Sequence, residues 1–199
     1  MYDTAILIGR FEPVHNGHLA LLRRALDSTH QTIVVMGSAW QVRSPKNPFT
    51  WQERAAMLCD ALPEADRARL HVLPVRDYYN EARWVQAVRA SVAQQVPADA
   101  RIGLVGHFKD ATSSYLSAFP GWTLIPMERQ GSIDATTIRD AYFGATPATA
   151  TAALAPLADQ IPASTLTALG TFAQQTEYTT LQEEWRVLRA HRQSWAHAP

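Results

Sequence analysis

The chain has one cysteine, two lysines and no apolar run long enough to span a bilayer, and each shortage removes a class of protein. A single thiol, Cys59, cannot close an internal disulfide. It stands in the helix-like stretch Ala55-Ala56-Met57-Leu58-Cys59, where a buried thiol packs as a small hydrophobe, so a reducing compartment is expected. No stretch approaches the ~20 apolar residues of a transmembrane helix, and no basic segment leads into an apolar one at the N-terminus. The expectation is a cytoplasmic protein with no membrane partner. Charge of one sign is missing too. The balance of 18 Lys and Arg against 18 Asp and Glu argues against coating nucleic acid, while a small phosphate site needs only a few cations. A length of 199 residues suits one α/β domain with a modest extension.

What is present is an alternation of short apolar runs and helix-period stretches. The apolar runs are Ala5 to Ile8, Thr32 to Met36, Leu70 to Val75, Ile102 to Val105 and Trp122 to Ile125. Such runs separated by helices predict a parallel sheet buried on both faces. Thr50-x-x-Glu53 is a capping box ahead of a helix over Arg54 to Leu62, and Trp84, Val88 and Val92 line one face of a helix over Asn80 to Gln95. The fold class is α/β, a doubly wound, Rossmann-like parallel sheet, in which ligands sit at the carboxyl ends of the strands. After Gly144 an Ala/Thr/Pro-rich stretch, Ala145 to Thr167, reads as linker-like. Tyr178, Leu181, Trp185 and Leu188 then form a helical stripe that must dock on the domain or on a second copy of the chain, a homo-oligomer.

Gly9 to His18 read G-R-F-E-P-V-H-N-G-H between the first apolar run and the amphipathic stretch from Leu19. A strand, a tight turn and a helix start place unpaired N–H groups and the positive end of a helix dipole at one point, which suits a phosphate. The competing accounts are half of a metal site and two surface histidines capping a helix. A preceding strand, a glycine at the turn and Gly17 letting backbone approach a ligand favour the phosphate. A second helix start, Ser132-Ile133-Asp134-Ala135-Thr136-Thr137-Ile138-Arg139, offers a cap at Ser132 or Asp134, two hydroxyls, and a fork-shaped cation one turn in. Asp134 puts a negative charge there, as a cap or as a functional acid. Arg43 and Lys46 make the loop after the second run basic, either over a phosphate or simply in solvent. Trp84 can stack on a flat cationic ring or belong to the core.

The first motif resembles the H-x-G-H signature of the nucleotidylyltransferase superfamily, and G-R-F-E-P resembles the form found in nicotinamide mononucleotide (NMN) adenylyltransferases. Four further segments carry the resemblance: Gly37-Ser38-Ala39 through Lys46-Asn47-Pro48-Phe49-Thr50 to Glu53-Arg54, Asp77 to Trp84, Gly106-His107-Phe108-Lys109-Asp110 and the following run to Trp122, and Ile133 to Arg139, similar to the superfamily's I-S-x-T-x-I-R with Asp134 in place of serine. The third is similar to the adenylyltransferase half of bifunctional NMN adenylyltransferase/Nudix hydrolases. Tyr178 to Trp185 and Ser194 to Pro199 look like the connector to the Nudix domain, whose signature box is absent from the sequence, so no pyrophosphohydrolase activity is expected.

The resemblance implies a nucleotidylyltransferase domain over residues 1–144 and a linker-like segment with a helical extension over 145–199. It implies ATP and NMN as substrates and NAD as product. His15, His18, Lys46 and Arg139 would be catalytic. Gly9, Arg10, Phe11, Gly17, Gly106, Lys109, Asp110, Ile133, Thr136 and Thr137 would bind nucleotide, and Asn80 and Trp84 would bind NMN. Mg²⁺ would be held mainly by substrate phosphates and water, with no protein metal ligands. The alternatives are another acceptor (pantetheine phosphate, flavin mononucleotide or a polyol phosphate) and a catalytically weak nucleotide sensor.

Overall fold

A computed structural model describes residues 2–106, 118–128 and 133–196, with side chains to residue 193. Five strands, β1 (Thr4–Gly9), β2 (Gln31–Met36), β3 (Leu70–Pro74), β4 (Ile102–Gly106) and β5 (Thr123–Pro126), form one parallel sheet in the order β3-β2-β1-β4-β5. They lie where the apolar runs place them. The order reverses at β1, which pairs with β2 on one side and β4 on the other, and a doubly wound sheet opens its crevice at such a switch. Alternate residues enter opposite layers: Ala5, Leu7, Val34, Met36 and Val105 one way, Ile6, Ile8, Ile33, Val35 and Leu104 the other.

One layer holds α1 (Asn16–Ser28), α2 (Trp51–Asp60) and α5 (Ala135–Phe143); the other holds α4 (Glu81–Ala93), which buries Val88 and Val92. A short α3 (Glu64–Arg67) precedes β3. The Thr50/Glu53 capping box forms in both directions at the head of α2, and Asn80 caps α4 by accepting from the Arg83 N–H at 2.9 Å.

The stretch read as linker-like is ordered against the first layer. A 3₁₀ helix (Ala152–Gln160) and α6 (Ala163–Phe172) bury Leu154, Thr165, Leu169 and Phe172; Asn16 donates to the Asp159 carbonyl and Ser164 to that of Met57. Its small residues carry little periodic signal, yet they let these turns pack close to α1 and α2. In α7 (Thr176–Ala196), Tyr178 and Leu181 are buried, Trp185 is half-buried and Leu188 is 49% exposed, so the expected stripe ends at Trp185. The polar atoms of α7 close the end of α5. Tyr178 Oη donates to the Tyr142 and Ala145 carbonyls at 2.6 and 2.9 Å, and Gln182 donates to those of Phe143 and Ala145. The Tyr142 and Phe143 carbonyls belong to the last turn of α5, where a helix lacks the N–H groups of a following turn, and Ala145 lies just beyond it. Burial pushes the Tyr178 phenol up to about 12. Among the described residues no helix is long and apolar enough to cross a membrane.

Candidate active site

β1 ends at Gly9 and the chain turns back through Phe11, whose φ is +60° and whose ring is buried. That conformation costs a bulky residue about 1–3 kcal/mol. A Cβ on Gly9 would lie 2.9 Å from this ring, so Gly9 makes room for Phe11. The ring then meets His18 at 4.8 Å, and His18 stacks on His15 at 3.7 Å and 28°. A Cβ on Gly17 would come within 3.0 Å of the His15 imidazole. Gly17 therefore makes room for a histidine ring, which differs from the expected approach of backbone to a ligand. The His15 N–H donates to His18 Nδ1 at 3.2 Å, which fixes the tautomer: the proton sits on Nε2, and His18 offers a donor on its far edge.

Under this turn lies a polar core that sequence reasoning missed. Arg54 is wholly buried and donates to the carbonyls of Arg10 (2.5 Å), Gly37 (2.9 Å) and Ser38 (3.3 Å), with Nε 3.1 Å from Glu12 Oε1. Glu12 Oε2 accepts from the Phe49 N–H, and the Glu12 carbonyl accepts from Arg139 at 2.6 Å. Burial pushes the Glu12 carboxyl up to about 8 against the pull of Arg54. The same burial holds Arg54 and Arg139 below the usual guanidinium range. The signal was present in the two motifs, as Glu12 of G-R-F-E-P and Arg54 of T-x-x-E-R, but only burial shows that they meet.

The loop after β2 is fastened down. Arg43 grips Glu53 in bidentate fashion at 2.7 and 2.8 Å, bonds the Pro48 carbonyl, and lies over the Phe172 ring at 5.2 Å. It serves the loop's shape, and of the loop's two cations Lys46 is the one that faces a cleft. Asp77 accepts from Ser38 and Gln41 at 2.8 and 2.7 Å, and Gln41 accepts from Asn47, tying the loops after β2 and β3 together. Among the described residues the non-glycine residues with positive φ are Phe11, Ser38, Trp40 and Tyr79, all in loops that leave the carboxyl ends of β1, β2 and β3. Backbone strain gathered at one edge of a sheet marks a built surface.

Two clefts open there. The first, about 730 Å³, is lined by Gly9, Arg10 and Lys46 together with Asp77, Asn80 and Trp84. The second, about 580 Å³, is lined by Arg10 and Lys46 again, with Thr136 and Arg139. Arg10 and Lys46 thus stand on the ridge between them. Trp84 lines the first cleft while its ring also packs edge-on against Phe119 at 5.9 Å, so one side chain is both wall and core. Asn80 commits its carbonyl oxygen to capping α4, leaving its NH₂ as the group to present to a ligand.

At the head of α5 the acid is a cap. Asp134 Oδ1 accepts from the Thr137 N–H at 2.9 Å and Oδ2 from the Thr137 hydroxyl at 3.3 Å. This takes the two donors that Thr137 was expected to give a nucleotide. Ile133 is buried in the core, so only its backbone can serve. Arg139 is buried and spends Nη1 on Glu12, while Nη2 donates to Thr136 Oγ1 at 3.1 Å. Gly106 closes β4, its carbonyl accepting from the Met127 N–H. Lys109, Asp110 and the residues around them lie outside the described residues. Among the described residues no group of three or more His, Cys, Asp or Glu is placed to hold a metal ion. The groups on the cleft walls are chiefly cations and amides; of the carboxylates, Asp77 and Asp140 are already bonded and Glu81 stands in the first turn of α4, a donor set that fits a divalent ion carried in on phosphates.

Residues 6–141 match the cytidylyltransferase-like family model. The chain is 34% identical over 187 residues to the nicotinamide/nicotinic acid mononucleotide adenylyltransferase of Acinetobacter baylyi, covering 94% of this chain and 95% of that protein. It is 36% identical over 86 residues to the nicotinamide-nucleotide adenylyltransferase of Picrophilus torridus, covering 43% of this chain and 51% of that one. Among solved structures it superposes on a bifunctional NMN adenylyltransferase/ADP-ribose pyrophosphatase of Francisella tularensis, described as complexed with AMP and a manganese ion, with a TM-score of 0.85 and 26% identity. That superposition covers all of this chain and 57% of the Francisella chain. With the motif residues gathered at the switch point of a doubly wound sheet, the chain belongs to the cytidylyltransferase-like family, as a relative of the nicotinamide/nicotinic acid mononucleotide adenylyltransferases.

Proposed function

We propose that the protein is an adenylyltransferase that joins ATP and NMN to give NAD and pyrophosphate, with residues 1–144 as the catalytic unit and 145–199 as its helical extension. The observation that carries this reading is the pair of clefts meeting along Arg10 and Lys46: one has an aromatic wall and an amide for a nicotinamide ring, and the other has cations for a polyphosphate. The phosphate oxygen of NMN attacks the α-phosphorus of ATP, and the bond from that phosphorus to the bridging oxygen of pyrophosphate breaks. No general base is needed, because a phosphate monoester is largely dianionic near neutral pH, its second pKa lying near ~6. Rate then comes from alignment and charge neutralisation.

In this reading His18 donates from Nε2 to the reacting phosphate, with His15 stacked behind it, and Lys46 and Arg139 hold the departing pyrophosphate. The backbone from Gly9 to Phe11 cradles phosphate beside Arg10. Thr136, the Ile133 backbone, Gly106, Lys109 and Asp110 serve the rest of the nucleotide. Asn80 and Trp84 take the nicotinamide end. A divalent ion such as Mg²⁺, carried in on the substrate phosphates rather than held by protein ligands, would supply further neutralisation of charge. The test is pyrophosphate release with ATP and Mg²⁺, comparing NMN, its deamidated acid form, pantetheine phosphate and flavin mononucleotide. Turnover with NMN or its acid form alone is expected. Preference for either other acceptor, or ATP binding without any turnover, would overturn the reading.

A further inference from the structure

The second cleft has a wall that the family model does not reach. With Arg10, Lys46 and Arg139, the same cavity is lined by Arg189 and Arg192 of α7, beyond the matched residues 6–141. Four separate parts of the chain therefore bring five cations to one cavity of about 580 Å³, against a single carboxylate, Asp140. That carboxylate is already engaged: its Oδ1 accepts from Trp185 Nε1–H at 2.9 Å. The Trp185 ring in turn carries the Arg189 guanidinium, centred 4.9 Å from the ring centroid. A flat guanidinium on an indole face keeps its outward N–H groups for an anion. The chain of contacts from Asp140 through Trp185 to Arg189 thus sets the reach of α7 from the helix that bears Arg139.

We propose that Arg189 and Arg192 are binding residues for the terminal phosphates of the nucleoside triphosphate and for the pyrophosphate it becomes, and that Trp185 is a positioning residue acting through Arg189. The assignment rests on the adenylyltransferase reading for its place in turnover, but binding of a polyphosphate anion does not require it. Like charges held close repel one another, and a concentration of cations left facing open water suits an anion of several charges. Arg139 is buried and shares its guanidinium among the Glu12 carbonyl, the Thr136 hydroxyl and the cleft, and the exposed arginines of the extension add charge that it does not supply alone.

The test uses the full chain and two probes, inorganic tripolyphosphate and AMP, titrated by calorimetry at low and moderate salt. Arg189→Ala with Arg192→Ala should weaken tripolyphosphate about 10-fold or more, the effect of losing charge-assisted contacts, and leave AMP unchanged. Trp185→Phe, which keeps the ring and loses the Nε1–H bond, should give a smaller loss in the same direction. Arg186→Ala is the control: it removes one charge from the same helix at a side chain 3.7 Å from Glu183 and outside the cleft, and should change neither probe. In turnover the paired variant should raise the ATP KM with the NMN KM unmoved. Unchanged tripolyphosphate binding, equal weakening of AMP, or the same loss in Arg186→Ala would overturn the proposal. Absence of turnover with any acceptor, while the tripolyphosphate result holds, would instead sink the adenylyltransferase reading alone.

Discussion

Two helices of this chain begin where a phosphate is expected, and they begin differently. At α1 the first turn is organised by two imidazoles, stacked on each other and propped by Phe11, with the His18 ring proton on Nε2. At α5 the first turn is organised by a carboxylate, which accepts both donors of Thr137. The first start carries an imidazole donor, while the second spends the N–H and hydroxyl of Thr137 on its own cap. The same local geometry, strand then turn then helix, therefore does not make two equal anion sites. The capping residue decides.

The largest expected effect comes from removing what both ends share. Glu12 touches Arg54 through its side chain and Arg139 through its carbonyl, so Arg54→Ala should cost about 3–5 kcal/mol in chemical denaturation, as for a buried pair stripped of one partner. Arg54→Met with Glu12→Leu should recover much of that stability without recovering activity. If Arg54→Ala is mild, the two ends do not share a foundation. Next, His18→Ala should lower kcat by about 10² or more with a much smaller change in the ATP KM, the pattern of a donor used in the transition state. An effect on KM alone would limit α1 to binding.

Asp134→Ser sharpens the contrast from the other side. Serine still caps, but the charge is gone, and ATP should bind a few-fold tighter in calorimetry, in keeping with the ~0.3–1 kcal/mol a charge contributes at a helix end. Weaker binding would mean that Asp134 contacts the ligand. The smallest effect lies far from both ends. Asp3 is held down to about 2 by hydrogen bonds from Arg101, below the ~3.9 of an unfolded chain, so its stabilisation is complete above about pH 4 and lost as pH falls through about 2. Asp3→Asn should flatten the acid limb of a denaturation profile and leave turnover at neutral pH untouched.

Much of this was legible in the residues because it is local. Alternating runs placed the five strands, the Thr50/Glu53 spacing placed α2, and His-x-Gly-His behind a strand placed the first helix start. What escaped was whatever depends on a distant partner. Arg43 reads as a loop cation until Glu53 and Phe172 are seen to claim it. Gly17 reads as clearance for a ligand until the His15 ring is found over it. The stretch from Ala145 to Thr167 reads as a linker because small residues leave no periodic mark, and its packing on α1 and α2 is visible only in space.

By itself, then, the sequence determined the sheet, the helix starts and the family, since strand patterning, caps and motif spacing are carried by neighbours along the chain. The tertiary structure alone decided which cations face a cleft and which are spent inside the protein. Arg54 and Arg10 are alike in sequence, yet one is sealed under the turn and the other stands on the ridge between two clefts. The charge of an arginine is written in the sequence. What it meets is settled by residues distant along the chain, as Arg189 rests on Trp185, which Asp140 holds, and lines one cleft with Arg10.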